Sequence, residues 1–276
     1  MSGAGTDSGG AEHPPVVLHR FRSLAQLDGV RHGVTTRAGG VSTGPFASLN
    51  LGLHVGDEPG AVLENRRRAC AALGVEPGSL VAGAQVLGNA VAWVTGADRG
   101  RGALDPDDAL PDTDALITDA PGVTLVAFSA DCPLVALVDP GRRAIGLAHA
   151  SRRGVLGRVA ARTVRAMERL LGCEPADLAA AIGPSIGPCC YEVGDEVFDA
   201  ARRALPGAER FFTRRGDRHH LDLWAATAGQ LVEAGVPRQR IEVAGLCTCC
   251  HADEFFSYRA ARGPTGRFAL LLGLTA

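Results

Sequence analysis

A cysteine and a histidine stand at the ends of two neighbouring apolar runs in the middle of the sequence. Cys132 precedes PLVALVD and His149 is the last residue but one of AIGLAHA, with the turn DPGRR between them. Antiparallel strands joined by a tight turn return to their starting level, so we expect the two side chains to be in contact. Such a pair serves as a nucleophile and its base, or as two metal ligands. A buried, inert cysteine beside an unrelated histidine is the alternative, and the flanking Asp131, Arg152 and Arg153 count against it because charged side chains are rarely core residues.

A second segment, residues 32–57, could bind an anion or a sugar. It is rich in Gly, Thr, Ser and Asn, and it contains Arg37. Backbone N–H groups and one guanidinium group are typical of a loop that surrounds such a ligand. A Gly-rich hairpin connection explains the same composition.

The third segment, residues 247–267, combines the cysteine-rich CTCCH with FFSYRAA. Tyr258 and Arg259 could stack on a base or bind a phosphate. A structural zinc at CTCCH is disfavoured, because zinc sites usually need two suitably spaced pairs, and the chain has no second C-x-x-C. Its other close pair is the adjacent Cys189 and Cys190.

Along the rest of the chain, short strand-like runs alternate with helical patterns, which favours an α/β or α+β sandwich. We predict a disordered tail over residues 1–14 and a single domain over 15–276, with a surface loop at the acidic, Pro-rich residues 98–114. The predicted strands include VRHGVTT, LVAGAQV, AVAWV, VTLVAFSA, LVALVD, AIGLAHA, LAAAIG, IEVAGL and RFALLLGL. Helices are predicted for PGAVLENRRRACAALG and GVLGRVAARTVRAMERLLG, the latter with an apolar face of Leu156, Val159, Ala160, Thr163, Met167, Leu170 and Leu171.

Composition narrows the class of partner. The formal net charge is -2 and the pI is near 6.4, so nothing indicates binding to nucleic acid or to an anionic membrane, and a small molecule is the expected partner. Because the sequence has neither a spanning apolar run nor a signal-peptide pattern, we expect a cytoplasmic protein whose cysteines are thiols or metal ligands. All 28 basic residues are Arg, which excludes a Walker A loop and lysine-based catalysis.

Six motifs in this order resemble the YfiH-like laccase-domain family, also called polyphenol oxidase, peptidoglycan editing factor and purine nucleoside phosphorylase. The resemblance covers about residues 15–274 and implies an α+β fold, a four-layer α/β/β/α sandwich. It also implies zinc-dependent phosphorolysis of adenosine, inosine, guanosine or methylthioadenosine, with deamination of adenosine, and it makes Cys132 and His149 metal ligands. The motifs are TTRAGGVSTGPFASLNLGLHVGD, GAQVLGNAV, FSADCPLVALVD, GLAHASRRG, AAIGPSIGPCCYEVGDEV and CTCCHADEFFSYRAARGPTGRFALLLGL.

Two departures from the family pattern bear on the metal. The family has Q-V-H-G where this chain has QVLG, so Leu87 occupies the position of the third zinc ligand. Beside His149, Ser151 and Arg152 replace a Gly-Trp pair. A catalytic zinc normally has three protein ligands and a water molecule, so the loss of one ligand should weaken zinc binding strongly.

The leading hypothesis is phosphorolysis of a purine nucleoside at Cys132 and His149. Arginine side chains would hold the phosphate, an aromatic side chain would contact the base, and Asp131 could orient His149. The residues predicted to bind substrate are Arg37, Asn50, Gln85, Asp131, Arg153, Tyr258 and Arg259.

Three alternatives belong to other classes. The Leu87 substitution favours an inactive or weakened family member that binds a nucleoside or a protein partner. A hydrolase acting on a cell-wall peptide could use Cys132 as its nucleophile and His149 as its base. A multicopper oxidase is disfavoured, because the chain has eight histidines and no H-x-H motif.

Overall fold

A computed structural model describes residues 14–275 of the chain, so the predicted tail, apart from Pro14, lies outside the described residues. No helix within this range combines the length and apolar composition needed to cross a membrane. The strands are β1 (Leu18–His19), β2 (Val30–Thr35), β3 (Leu80–Ala82), β4 (Val91–Trp93), β5 (Ala115–Thr118), β6 (Thr124–Ser129), β7 (Leu134–Asp139), β8 (Ala144–His149), β9 (Ala179–Ile182), β10 (Glu192–Val193), β11 (Phe212–Arg215), β12 (Arg218–Leu221), β13 (Ile241–Val243) and β14 (Phe268–Leu274). The α-helices are α1 (Arg22–Ala25), α2 (Pro59–Leu73), α3 (Arg152–Leu156), α4 (Val159–Leu171), α5 (Asp195–Ala204), α6 (Leu223–Glu233) and α7 (Tyr258–Ala261).

Two large sheets form the centre of the molecule. The five-stranded sheet has the order β1-β2-β14-β6-β3, and the six-stranded sheet has the order β13-β9-β7-β8-β5-β4. Neighbouring strands are antiparallel except for the pairs β3–β6, β4–β5 and β9–β13. A small sheet, β10-β12-β11, lies apart from both.

Three apolar cores separate four layers of structure. The central core joins the facing sides of the two large sheets, for example Leu270 of β14 and Leu147 of β8. A second core lies between the six-stranded sheet and helices α4 and α6. The third packs α2 against the outer side of the five-stranded sheet. This arrangement confirms the predicted α/β/β/α sandwich.

The continuous apolar runs of the middle strands follow from this layering. Side chains of a strand point alternately to its two faces. In β7, Leu134 and Ala136 belong to the central core, whereas Val135 and Leu137 belong to the core under the helices. Both faces are covered, so each of these positions is apolar, as is typical of strands buried on both sides.

Two local predictions need correction. The helix predicted as one element is two, α3 and α4, because the chain breaks at Arg158, whose φ is 61°. The buried face of α4 includes Val164 and Met167, and Leu170 is left 43% exposed. The predicted surface loop over 98–114 is buried at its C-terminal end. Asp114 is itself buried because it leads directly into the buried strand β5.

Candidate active site

The register of two strands places Cys132 beside His149. Strands β7 and β8 are antiparallel, and Leu134 pairs with His149. The backbone N–H of Ala150 donates to the carbonyl oxygen of Pro133 at 2.8 Å, which holds the start of β7 against the end of β8. Cys132 and His149 border the same cavity.

Asp114 is the partner of His149 that the sequence did not reveal. Strand β5 is antiparallel to β8, with Ala115 opposite Ala148, so Asp114 lies opposite His149. The distance between His149 Nδ1 and Asp114 Oδ1 is 2.9 Å, and both side chains are buried. Because an ionised carboxylate only accepts hydrogen bonds, Nδ1 carries a proton and donates it. The second ring nitrogen, Nε2, is not used by Asp114 and remains available to Cys132 and the cavity that both residues border.

The same carboxylate shapes the turn that carries Leu87. Asp114 Oδ2 accepts hydrogen bonds from the backbone N–H groups of Val86, at 3.0 Å, and Gly88, at 2.7 Å. Leu87, between them, has a φ of 61°, a conformation that is unfavourable for a leucine. The turn is thus fixed by the residue that orients His149.

Hydrogen bonding decides the charge states of this pair. Burial alone would lower the pKa of His149, but the hydrogen bond with Asp114 and the nearby Cys132 thiol outweigh burial and raise that pKa to about 9. Burial alone would raise the pKa of Asp114, but its bonds to His149 and to the Gly88 and Val86 amides leave that pKa below its ordinary value. At neutral pH the pair is therefore an imidazolium beside a carboxylate.

Asp131 has a different role from the one predicted. Its Oδ1 accepts hydrogen bonds from the hydroxyl groups of Thr248 and Ser257, each at 2.6 Å, and its Oδ2 accepts one from the backbone N–H of Arg259 at 2.7 Å. Asp114, not Asp131, orients His149. Asp131 has a φ of 104°, and these bonds hold that strained backbone next to Cys132.

The thiol and the imidazole border a cavity of about 480 Å³. A smaller recess of about 250 Å³ adjoins it and shares Gln85 and Phe128 with it. A larger groove of about 700 Å³ runs along α4, but its lining includes neither Cys nor His. The residues that line the 480 Å³ cavity include His54, Leu87, Asp131, Cys132, His149, Tyr191, Tyr258 and four arginines, Arg152, Arg153, Arg259 and Arg267.

The arginines give the cavity a positive wall. Arg152 and Arg153 are exposed at its edge, and neither makes an ion pair or a side-chain hydrogen bond with any residue in 14–275. The guanidinium group of Arg259 donates to the carbonyl oxygens of Cys190 and Glu192. Two guanidinium groups are therefore available to an anionic ligand.

Three predicted substrate-binding residues are used structurally. Arg37 lies outside the cavity lining, and its guanidinium group donates to the carbonyl oxygens of Ala47 and Ala252. Asn50 is fully buried and is hydrogen-bonded to Asp57, to Gly52 and to the backbone N–H of Arg267. Gln85 borders the cavity, but its amide group bonds both backbone groups of Phe128, at 2.8 and 2.9 Å. The polar atoms of these three side chains are already paired within the protein. The side chains therefore stabilise the loops around the cavity and are not free to bind a ligand.

Tyr191, His54 and Arg267 also line the cavity and were not predicted to do so. Tyr191 lies in GPCCYEV, His54 in GLHVGD and Arg267 in GPTGR. The composition of these segments gave only a weak indication that the three residues line a cavity. Burial is the main cause that lowers the pKa of His54, and its ring is therefore neutral at physiological pH.

The donor atoms at Cys132 and His149 do not fit a catalytic zinc with three protein ligands. Leu87 borders the same cavity, and its side chain has no lone pair to offer. Within residues 14–275, the one cluster of three or more Cys, His, Asp or Glu side chains spaced for a metal ion lies elsewhere. It comprises Cys189, Cys190, Cys247 and Cys250.

Comparison with known proteins places this chain in a family. Residues 31–275 match the family described as multi-copper polyphenol oxidoreductase laccase. The chain belongs to this YfiH-like laccase-domain family.

Relatives of this chain carry the name of an enzyme. It is 44% identical over 243 residues to the purine nucleoside phosphorylase YlmD of Geobacillus stearothermophilus, a match that covers 87% of this chain and 89% of that protein. It is 41% identical to a purine nucleoside phosphorylase of Deinococcus radiodurans, with 95% and 94% covered. The crystal structure of YlmD from G. stearothermophilus superposes with a TM-score of 0.89 and 40% identity, covering 95% of this chain and all of that one. The Bacillus licheniformis hypothetical protein YfiH gives the same TM-score at 39% identity, with 95% and 97% covered.

We predict that Leu87→His creates a three-ligand zinc site. The new imidazole would face the cavity that contains Cys132 and His149, and histidine tolerates a positive φ better than leucine does. Metal analysis should find one more zinc ion per chain than in the wild type. Leu87→Asn, which suits the backbone but lacks an imidazole, is the control. The prediction is wrong if no zinc is gained, or if Cys132→Ser in the same variant leaves the gain intact.

Proposed function

We propose that this protein cleaves purine nucleosides by phosphorolysis, releasing the free base and ribose 1-phosphate. One observation carries the proposal: His149, hydrogen-bonded to the buried Asp114, borders an arginine-lined cavity together with Cys132. The purine nucleoside phosphorylase names of the relatives support the choice of substrate.

His149 supplies the proton that the departing base requires. When the bond between the sugar C1′ and the purine N9 breaks, the electron pair goes to the base, which must be neutralised. Because Asp114 holds the proton on Nδ1 and keeps the ring charged, Nε2–H is the donor at the cavity wall. Cys132 borders the same cavity as this ring.

Phosphate supplies the nucleophile. Arg152 and Arg153 have no partner among residues 14–275, and they lie at the edge of the cavity where a dianion could reach both guanidinium groups. An oxygen of hydrogen phosphate bonds to C1′, and the proton that this phosphate loses restores the charge on His149. The developing positive charge on the sugar lies next to the phosphate dianion, which lowers the barrier.

The base has an apolar place to bind. The recess beside the cavity is lined by Leu53, Val86 and Phe128, among others. Tyr258, at the mouth of the main cavity, is 64% exposed and can stack on a purine or a sugar face. A nucleoside that spans recess and cavity would place its glycosidic bond near His149.

With inosine and phosphate as substrates, we expect hypoxanthine and ribose 1-phosphate, and no hypoxanthine when phosphate is omitted. Adenosine should give adenine. His149→Ala should lower kcat by about 10² to 10⁴-fold, because it removes the proton donor. His19→Ala, on edge strand β1, should leave kcat unchanged. Chromatography of the products measures all of these outcomes.

Three results would contradict this proposal. Absence of hypoxanthine at high enzyme concentration from a folded protein would favour the non-catalytic alternative. Conversion of adenosine to inosine without release of any free base would indicate a deaminase instead of a phosphorylase. Cleavage of cell-wall peptide precursors that depends on Cys132, without nucleoside cleavage, would favour the cysteine hydrolase.

Arg153→Ala should raise the KM for phosphate more than it lowers kcat. A charge-assisted hydrogen bond contributes about 1.5 to 3 kcal/mol, which corresponds to about 10 to 100-fold in KM. Arg169→Ala, an exposed arginine on α4 outside this cavity, is the matched control. Initial rates at varied phosphate concentration give both constants. An unchanged KM would remove Arg153 from the phosphate site.

The pH profile should follow the protonation state of His149. We expect kcat/KM to fall as the pH rises through about 9, because the ring then loses the proton it donates. In Asp114→Asn the charge that raises this pKa is gone, so the decline should move to lower pH by about 1 to 3 pH units. Asp119→Asn, an exposed change directly after β5, should leave the profile in place. An unchanged profile in Asp114→Asn would exclude His149 as the acid.

A further inference from the structure

Four cysteines converge on the side of the molecule formed by residues 187–190 and 247–250. The sulfur atoms of Cys189, Cys190, Cys247 and Cys250 all lie within 4.8 Å of one another. Cys250 Sγ is 3.6 Å from Cys189 Sγ and 3.5 Å from Cys190 Sγ. All four are free thiols rather than disulfides.

The backbone brings the two cysteine pairs together. Ser185 and Cys247 form a parallel bridge, with hydrogen bonds from Ser185 N–H to the Leu246 carbonyl oxygen and from Thr248 N–H to the Ser185 carbonyl oxygen. Beyond this bridge each segment turns, and each turn presents two thiols on the same side. This contact between distant segments supplies the second cysteine pair that the spacing of the sequence did not indicate.

We propose that Cys189, Cys190, Cys247 and Cys250 bind one zinc ion through four thiolate ligands. A Zn–S bond of about 2.3 Å places the sulfur atoms of a tetrahedral site about 3.8 Å apart, close to the distances found here. A disulfide, in contrast, requires an S–S distance of about 2.05 Å. Four sulfur donors favour zinc over the hard cations that prefer oxygen ligands.

The surroundings of the cluster favour bound thiolates. The backbone N–H of Gly187 donates to Cys247 Sγ at 3.2 Å, a hydrogen bond of the kind that orients a metal ligand. Cys247 is buried, whereas Cys189 and Cys250 are exposed, so an ion can enter from solvent. Cys249, in the same turn, is not a member of the cluster and serves as an internal control.

The proposed ion would be structural rather than catalytic. Four protein ligands leave no open position for water or substrate. None of the four cysteines lines the cavity, but their segments continue into its wall: Thr248 bonds the Asp131 carboxylate, and Arg259 bonds the carbonyl oxygen of Cys190. By joining the two segments, the ion would stabilise the side of the cavity that holds Asp131 and Arg259.

The test is a zinc count in a Cys132→Ala background, so that the thiol beside His149 cannot contribute to the zinc content. Purified under reducing conditions with zinc supplied, this chain should contain one zinc ion. Adding Cys247→Ser and Cys250→Ser should lower the content at least tenfold, while adding Cys249→Ser should leave it unchanged. With cobalt in place of zinc, the chain should show thiolate charge-transfer absorption, and the double substitution should abolish it.

A second measurement leaves all four cysteines of the cluster unchanged. Titration of the Cys132→Ala chain with a mercurial reagent should release one zinc ion, detected with a metal-binding dye, and should lower the Tm. A chain that consumes the reagent without releasing zinc overturns the proposal. So does a zinc content that survives the double substitution, a content that falls equally with Cys249→Ser, or iron in place of zinc.

Discussion

The buried hydrogen bond between Asp114 and His149 is the interaction on which the cavity depends. A carboxylate away from water is costly unless its hydrogen-bonding capacity is filled, and Asp114 fills it with the His149 ring and the amides of Val86 and Gly88. One side chain thereby fixes a protonated ring nitrogen and the turn that carries Leu87. Any change at Asp114 therefore alters the charge of His149 and the cavity wall together.

A second buried carboxylate, that of Asp131, stabilises the opposite side of the cavity. The chain passes from one large sheet to the other between β6 and β7, and Cys132 lies in that crossover. Asp131 anchors the crossover to Thr248, which lies between Cys247 and Cys250, and to Ser257, which follows them. The sandwich supplies rigid strands on both sides, so the reactive side chains sit on short, well-anchored connections.

The sequence predicted the parts of this structure that depend on local pattern. Apolar runs located the strands, and the turn between β7 and β8 indicated the antiparallel register that brings Cys132 and His149 to one cavity. Asp114 was missed because its role depends on β5 lying next to β8, and periodicity does not determine strand order. Arg37 and Asn50 were assigned to the substrate because their residue types suit binding, but backbone groups of distant segments had already taken their polar atoms. The cysteine cluster was missed for a related reason, since its two pairs are far apart in the chain.

The most direct test of this account is an NMR titration of the His149 ring in the wild-type protein, with the signal assigned by the His149→Ala variant. We predict that the ring stays protonated through neutral pH and loses its proton near pH 9, with the Nδ1 proton protected from exchange by Asp114. A ring that is neutral at pH 7, or that titrates near the ordinary value of about 6.5, would contradict the account.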